Sequence, residues 1–161
     1  MAKNIQDALN NVEMGYSQLI EIGNDMLADL FDPINNVVNS IGEDINSLSI
    51  DNLKNYEWSL QHKAYQLSEV KEKSLMKAQI AETLRKEKYA TQFNEAQGTA
   101  AIKENLALIG SSEETVVEVL YDYISGQLKT KVDQLHRIVD VIKNILMTRM
   151  QEAKMTLSQM E

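Results

Sequence analysis

Residues 53–97 read LKNYEWSLQHKAYQLSEVKEKSLMKAQIAETLRKEKYATQFNEAQ and contain neither proline nor glycine. Apolar and small side chains recur along this stretch at steps of three and four residues, which is the spacing of one face of an α-helix. The stretch therefore predicts one long helix, begun by a cap at Ser49 or Asp51 and ended by Gly98. The predicted buried stripe consists of Leu53, Tyr56, Leu60, Ala64, Leu67, Ser74, Ala78, Ala81 and Ala96.

A second long helix is predicted downstream of residue 110. Ser111 and Glu114 stand at the spacing of a capping box, in which a hydroxyl and a carboxylate satisfy free backbone amides at the helix start. Apolar residues, most of them branched, then recur at steps of three and four from Val117 to Met150. This helix is therefore expected to be amphipathic along nearly all of its length.

Three further helices are predicted, and no segment has the alternation of a strand. The first covers about residues 4–30 and ends at Phe31-Asp32-Pro33, because the residue before a proline avoids the helical region. A second covers residues 34–47, since proline suits the first turn of a helix. Thr99 predicts the cap of a short helix that ends near Gly110.

The predicted fold is all-α: an elongated antiparallel hairpin of two long helices, with shorter N-terminal helices beside it. Two segments are expected, an acidic one over residues 1–50 and the hairpin over residues 51–161. Helices of this length are about 65 Å long, too long to be wrapped by a chain of 161 residues. Oligomerisation through the amphipathic helices is therefore expected. The alternative is a monomeric hairpin packed by the first two helices.

Charge is distributed unevenly along the chain. Residues 1–52 hold one cation, Lys3, and nine acidic residues, which equals the formal net charge of −8 of the whole chain. Nine of the sixteen lysines and arginines lie between residues 53 and 103. An acidic protein is a poor partner for nucleic acid, because phosphate binding requires clustered cations. The local basic excess of the long helix weakens that objection.

Composition favours a protein that acts where it is synthesised. The chain has no cysteine, so it has no disulfide and no thiolate chemistry, as is common in a reducing cytosol. The first residues lack a hydrophobic signal core, and no apolar run approaches the roughly 20 residues that cross a bilayer. A cytoplasmic location without a membrane partner is expected.

Residues suited to catalysis or metal binding are sparse. Asp133 and His136 are one helical turn apart, as in carboxylate-bridged metal sites of helical bundles, but a second such pair is missing. With Arg137 and Asp140 adjacent, a solvated salt network is the better interpretation. His62 has polar neighbours and fits a surface position. Since no catalytic or phosphate-loop motif occurs, we expect no enzymatic activity, cofactor, metal or small-molecule substrate.

The long basic helix offers a candidate surface for nucleic acid. At 100° per residue, four lysines share one flank beside the apolar stripe. Two further cations add charge next to the last of these lysines, and an aromatic pair follows it. Ammonium groups in a row suit a phosphate backbone, and aromatic rings suit unpaired bases. The alternative is a solvated charged face with pairs such as Glu69–Lys73 and Glu82–Lys86, above a core Tyr and Phe. The residues concerned are Lys63, Lys73, Lys77, Lys88, Arg85, Lys86, Tyr89 and Phe93.

A family resemblance favours the DNA interpretation. Trp58-Ser-Leu-Gln-His62, the Lys-rich stretch through Lys71-Glu-Lys73, and Leu84-Arg85-Lys86-Glu87-Lys88-Tyr89 resemble the central helix of the UvsY-type recombination mediators of bacteriophages. Gln97-Gly98-Thr99-Ala-Ala-Ile-Lys103 and the amphipathic C-terminal helix are similar to the same family. The similarity covers about residues 53–154.

The resemblance implies a non-enzymatic accessory protein of the host cytoplasm that binds single-stranded DNA. It implies assembly into a ring through the C-terminal helices and help to a RecA-like recombinase in displacing the single-strand-binding protein. The implied DNA contacts are Lys73, Lys77, Arg85, Lys86, Lys88 and Tyr89. The implied assembly surface consists of Ile124, Leu128, Leu135, Ile138, Ile142 and Ile145.

Two features depart from that family. The acidic residues 1–50 lie outside the resemblance, and Arg85 falls near the centre of the apolar stripe. One hypothesis is that the acidic segment covers the basic helix until DNA displaces it. A second function from another class is a helical scaffold or inhibitor that binds a basic protein through the acidic segment, with Asp25, Asp29 and Asp32 as contacts.

Overall fold

The computed structural model describes the backbone of residues 2–43 and 45–158, and the side chains of residues 14–42 and 45–156. Over these ranges the chain forms four helices and no strand: α1 (Ala2–Glu43), α2 (Ile50–Glu95), α3 (Ala100–Gly110) and α4 (Ser112–Ser158). The prediction of an all-α fold is confirmed. None of the described helices has a stretch long and apolar enough to cross a bilayer.

The predicted break at Pro33 is wrong, because α1 continues through it as a single helix. Proline inside a helix removes one backbone hydrogen bond and costs about 3 kcal/mol. Packing on both sides of the proline offsets that cost: Leu27, Ile34 and Ile41 are all buried and follow one another at seven-residue steps. Pro33 itself is exposed, so its ring stays outside the packed face.

The predicted limits of α2 agree with the structure. The backbone amide of Asn52 donates a hydrogen bond to Ser49 Oγ at 3.1 Å, so Ser49 rather than Asp51 caps the helix. The last helical residue is Glu95. Gly98, three residues later, has a φ of 121°, a conformation that side chains other than glycine rarely adopt. Gly98 therefore reverses the chain between α2 and α3.

The capping box predicted for α4 is absent. The Ser111 amide donates to the Ala107 carbonyl at 3.1 Å, and Ser111 Oγ donates to the same carbonyl at 2.9 Å. The Glu114 carboxylate instead binds a lysine of α2. Thr99 does occupy the N-cap position of α3 with an extended backbone, but its side chain makes no capping hydrogen bond.

The chain divides into two compact units that do not follow the predicted boundary at residue 50. The first unit comprises Met1–Leu27 and Lys71–Gln127, and the second comprises Ala28–Val70 and Leu128–Glu161. Parts of α1, α2 and α4 belong to each unit, so the acidic residues 1–50 do not form a body of their own.

The second unit contains most of the core. Lys131 donates to Asn35 Oδ1 and lies 5.4 Å from the Phe31 ring centroid, while burial lowers the pKa of its ammonium group. Arg149 donates to the carbonyls of Asn46 and Leu48. In this unit α1 therefore runs parallel to α4. The buried apolar residues are Ile34, Ile41, Leu53, Leu60, Ala64, Leu67, Leu128, Val132, Leu135, Val139, Ile142 and Leu146.

The first unit has a thinner core, whose buried apolar residues are Leu27, Ala78, Ala81, Ala107 and Ile124. A β-carbon on Gly23 would approach Tyr123 Cδ1 to 2.6 Å, so glycine permits the close contact of α1 with α4. The Tyr123 hydroxyl donates to Asn24 Oδ1 at 2.8 Å. Among the described side chains of this unit, fifteen large apolar ones are exposed, four each on α1, α2 and α3 and three on α4.

Candidate nucleic-acid interface

The six DNA contacts predicted on α2 all lie in the first unit, and among the described side chains Lys73 and Lys77 have no carboxylate partner. Lys73 is exposed and has no ion-pair partner among the side chains described here. Lys77 Nζ lies 4.8 Å from the ring centroid of Tyr121 and donates to the Tyr121 hydroxyl at 3.4 Å. Both ammonium groups are therefore accessible to an anion.

The remaining predicted cations are bound within the chain. Arg85 Nε lies 2.7 Å from Glu118 Oε2, and Lys88 Nζ lies 2.8 Å from Glu114 Oε1. The later residue on α2, Lys88, contacts the earlier residue on α4, Glu114. The two helices are therefore antiparallel in this unit, as predicted.

Hydrogen bonding within these pairs favours the charged forms. The contact with Glu114 raises the pKa of Lys88, and the same contact lowers the pKa of the Glu114 carboxyl. On α2 itself, Lys86 Nζ lies 2.5 Å from Glu82 Oε1 and lowers the pKa of that carboxyl. A phosphate would have to displace a carboxylate to reach Lys86 or Lys88.

Arg85 and Tyr89 are turned away from open solvent. The Arg85 side chain is 33% exposed, which agrees with its predicted position near the centre of the apolar stripe. Tyr89 is half-buried and stacks on Phe93, with ring centroids 6.2 Å apart. Arg85 therefore holds α2 against α4 through Glu118, and the Tyr89 ring is stacked within α2.

A second aromatic surface lies on α2 in the second unit. Trp58 is 70% exposed and Tyr65 is 64% exposed. The Trp58 ring stacks on His62, with centroids 5.5 Å apart and planes 4° apart. Lys54 is also exposed and lies one turn before Trp58. These four residues, which we call the Trp58 face, share one side of the helix because they follow at steps of four, four and three.

Trp58 was singled out only through the family resemblance, whereas His62 was also predicted to be a surface residue, and it is exposed. The signal that identifies the Trp58 face is present in the sequence: a tryptophan outside the apolar stripe, with histidine and tyrosine at helical spacing from it. Lys63, assigned to the basic flank, instead lines a cavity of the second unit with Asp29 and Pro33.

The predicted assembly residues are used inside the chain. Ile124 belongs to the core of the first unit, and Leu128, Leu135 and Ile142 belong to the core of the second. Ile138 and Ile145 are half-buried. Four of the six predicted positions are thus corrected from an intermolecular surface to the intramolecular core, because the stripe of α4 packs against its own chain.

The acidic residues proposed for a protein partner are open to solvent. Asp25, Asp29 and Asp32 are exposed, and none has an ion-pair partner in the described part of the chain. Asp29 and Lys63 line the same cavity. The side chains of Lys3, Asp7, Glu13, Glu43 and Asp44 lie outside the described residues.

Among the described side chains, no group of three or more His, Asp and Glu residues is placed to hold a metal ion. Asp133 and His136 are both exposed on α4. Comparison with known proteins found no matching family model, no matching curated protein and no matching solved structure.

Proposed function

We propose that this chain is a non-enzymatic accessory of DNA recombination, similar to the UvsY-type mediators. In this proposal it binds single-stranded DNA without strong sequence preference, as a homo-oligomer, and assists a RecA-like recombinase in displacing the single-strand-binding protein. The observation that carries the proposal is the Trp58 face, where a tryptophan and a tyrosine stand exposed beside a lysine on one side of a helix.

Exposed aromatic rings suit unpaired bases. Every base has a π-face, so stacking tolerates any sequence, and each stacked base contributes about 1–3 kcal/mol. His62 holds one face of the Trp58 ring by stacking, which leaves the opposite face for a base. Lys54 supplies a cation within one turn for the adjoining phosphate.

The lysines of the first unit supply a separate electrostatic contribution. Among the described side chains, Lys73 and Lys77 have no carboxylate partner, whereas Arg85, Lys86 and Lys88 are each paired. Replacing Lys73 and Lys77 is therefore expected to lower the salt dependence of DNA binding, because fewer counterions are released.

Intrinsic fluorescence tests the proposal directly, because Trp58 is the only tryptophan of the chain. Oligo-dT at low salt is expected to change the Trp58 emission, and dextran sulfate, an anionic polymer without bases, is expected to change it much less. A labelled oligo-dT should lose affinity by roughly 5- to 150-fold in Trp58→Ala, whereas Trp58→Phe retains most of it.

The matched control is Tyr16→Ala, which removes a ring that is 57% exposed on α1. It should leave oligo-dT affinity unchanged. The proposed function fails if Trp58→Ala binds oligo-dT as tightly as the unaltered chain, or if dextran sulfate and oligo-dT alter the emission equally.

A second candidate function is supported by the exposed, unpaired carboxylates of α1. In that case the chain is a helical scaffold or inhibitor that binds a basic protein through Asp25, Asp29 and Asp32. Poly-L-lysine should then bind the chain, the binding should weaken in the triple Asp→Asn variant, and oligo-dT should leave the Trp58 emission unchanged.

A further inference from the structure

An apolar surface of α2 in the first unit lacks a partner among the described side chains. Met76, Ile80 and Leu84 follow at four-residue steps and are 61%, 54% and 50% exposed. Thr83 and Glu87 line the same shallow depression. We call Met76, Ile80 and Leu84 the α2 ridge.

In this part of α2 the small side chains are buried and the large apolar ones are exposed, which is the opposite of an ordinary surface helix. Its buried positions are the small residues Ser74, Ala78 and Ala81, while the large apolar residues face solvent. Amphipathic helices normally bury their large apolar face, and contiguous exposed apolar surface marks interaction sites. The arrangement indicates that the ridge is covered by another molecule.

The charges around the ridge identify that molecule. Lys73 and Glu87 are each seven residues from Ile80, so the three lie nearly in line along the helix. Both charged side chains are exposed, and neither is ion-paired within the described side chains. A second α2 placed antiparallel across Ile80 would set Lys73 of one copy beside Glu87 of the other, and Met76 beside Leu84.

We propose that the α2 ridge pairs with the α2 ridge of a second copy of this chain, antiparallel and across a two-fold axis near Ile80. Such an interface is self-complementary, as two-fold symmetry requires. The proposed function includes self-association, and the α2 ridge is the surface through which we expect it to occur. In that respect this inference rests on the proposed function. A single helix pair buries less than the roughly 1,200–2,000 Å² of a stable interface, so the dimer is expected to depend on protein concentration.

Sedimentation of the full chain over a range of concentrations tests the pairing without DNA. The mass should rise from one chain to two. Ile80→Asp should raise the dissociation constant at least tenfold, and it should not unfold the chain because Ile80 is exposed. Val141→Asp, which alters a side chain of α4 that is 51% exposed, is the matched control and should associate like the unaltered chain.

Charge reversal tests the antiparallel arrangement itself. Lys73→Glu alone places carboxylates opposite each other, and Glu87→Lys alone places ammonium groups opposite each other, so each variant should associate weakly. An equimolar mixture of these two variants, and separately the double variant, should recover association because opposite charges then meet. At high salt the differences should shrink.

The pairing is overturned if the unaltered chain keeps the mass of one chain at the highest concentration, or if Ile80→Asp associates like the Val141→Asp control. It is also overturned if the mixed charge variants associate no better than each alone. The Trp58 emission distinguishes this failure from failure of the proposed function. A chain that stays monomeric but responds to oligo-dT removes the pairing and the homo-oligomer of the proposed function but leaves the DNA binding, whereas a chain that dimerises without responding removes only the DNA binding.

Discussion

At the scale of single residues, Glu114 decides how the basic side of α2 is presented. Its Oε1 binds Lys88, while its Oε2 is buried without a hydrogen-bond partner among the described residues. A partly buried carboxylate is costly unless a cation compensates it. The main role of Lys88 is therefore to compensate the Glu114 carboxylate within the first unit. Its ammonium group is correspondingly less available to a phosphate.

The pair predicts a pH-dependent contribution to stability. Because the folded pKa of Glu114 is lowered, its contribution is present above the ordinary carboxyl value of about 4.5 and is lost as the pH falls through the folded value. Because the folded pKa of Lys88 is raised, its contribution is present below about 10.5 and is lost as the pH rises through the folded value.

Glu114→Gln should accordingly be less stable than the unaltered chain at pH 7, and the difference should vanish in acid below the folded pKa of Glu114. Urea midpoints measured from pH 2 to 8 check this. Glu113→Gln is the control, because Glu113 is 87% exposed and lies 3.9 Å from Lys88. Equal destabilisation by both substitutions would show that the short contact has no special role.

The sequence predicted which side chains of α2 face the core, but it did not predict which residues of α4 they contact. Arg85 was placed near the centre of the apolar stripe by its spacing alone, and there it lies, bound to Glu118. Which acidic residue meets it depends on the register between α2 and α4, which the chain reversal through α3 sets and local spacing does not contain. For the same reason the paired state of Lys88 was not predicted.

At the scale of helices, the ends of α2 were predicted from local signals, whereas the capping box of α4 and the middle of α1 were not predicted correctly. Ser49 and Gly98 act through neighbouring backbone atoms, so sequence alone determines their effect. Pro33 opposes the helix locally, and the outcome depends on tertiary packing of Ile34 and Ile41. Local sequence signals therefore predicted a break at Pro33, whereas tertiary packing keeps the helix continuous.

Pro33→Ala should stabilise the chain by up to about 2 kcal/mol. The substitution restores an amide donor for the carbonyl four residues earlier, a gain of up to about 3 kcal/mol, offset by about 0.4–1 kcal/mol from a more flexible unfolded chain. Urea denaturation followed by circular dichroism measures the change.

Asn36→Ala, at another exposed position of α1, measures the gain from helix propensity alone and should be smaller, at about 0.5 kcal/mol. If Pro33→Ala were less stable than the unaltered chain, the proline ring would be contributing packing at the cavity that it lines with Leu67. The tertiary contribution of Pro33 would then exceed the cost of the missing hydrogen bond.

At the scale of the whole molecule, burial is divided unequally between the two units. The second unit buries long branched side chains at nearly every turn, while among the described residues of the first unit three of the five buried apolar ones are alanines. Apolar burial stabilises by about 25 cal/mol per Å², so the first unit is expected to open locally at lower free-energy cost.

Hydrogen exchange along α2 measures this difference within one helix. Amides around Ala78 and Ala81 should exchange at least about tenfold faster than those around Leu60 and Leu67, since about 1.4 kcal/mol of local stability corresponds to tenfold. The comparison is made at a concentration where the chain is monomeric. Raising the concentration should then protect the Ala78 region selectively, because dimer contacts at the α2 ridge add the burial that the first unit lacks. Uniform protection along α2 at every concentration would show instead that the small core of the first unit is sufficient for its stability.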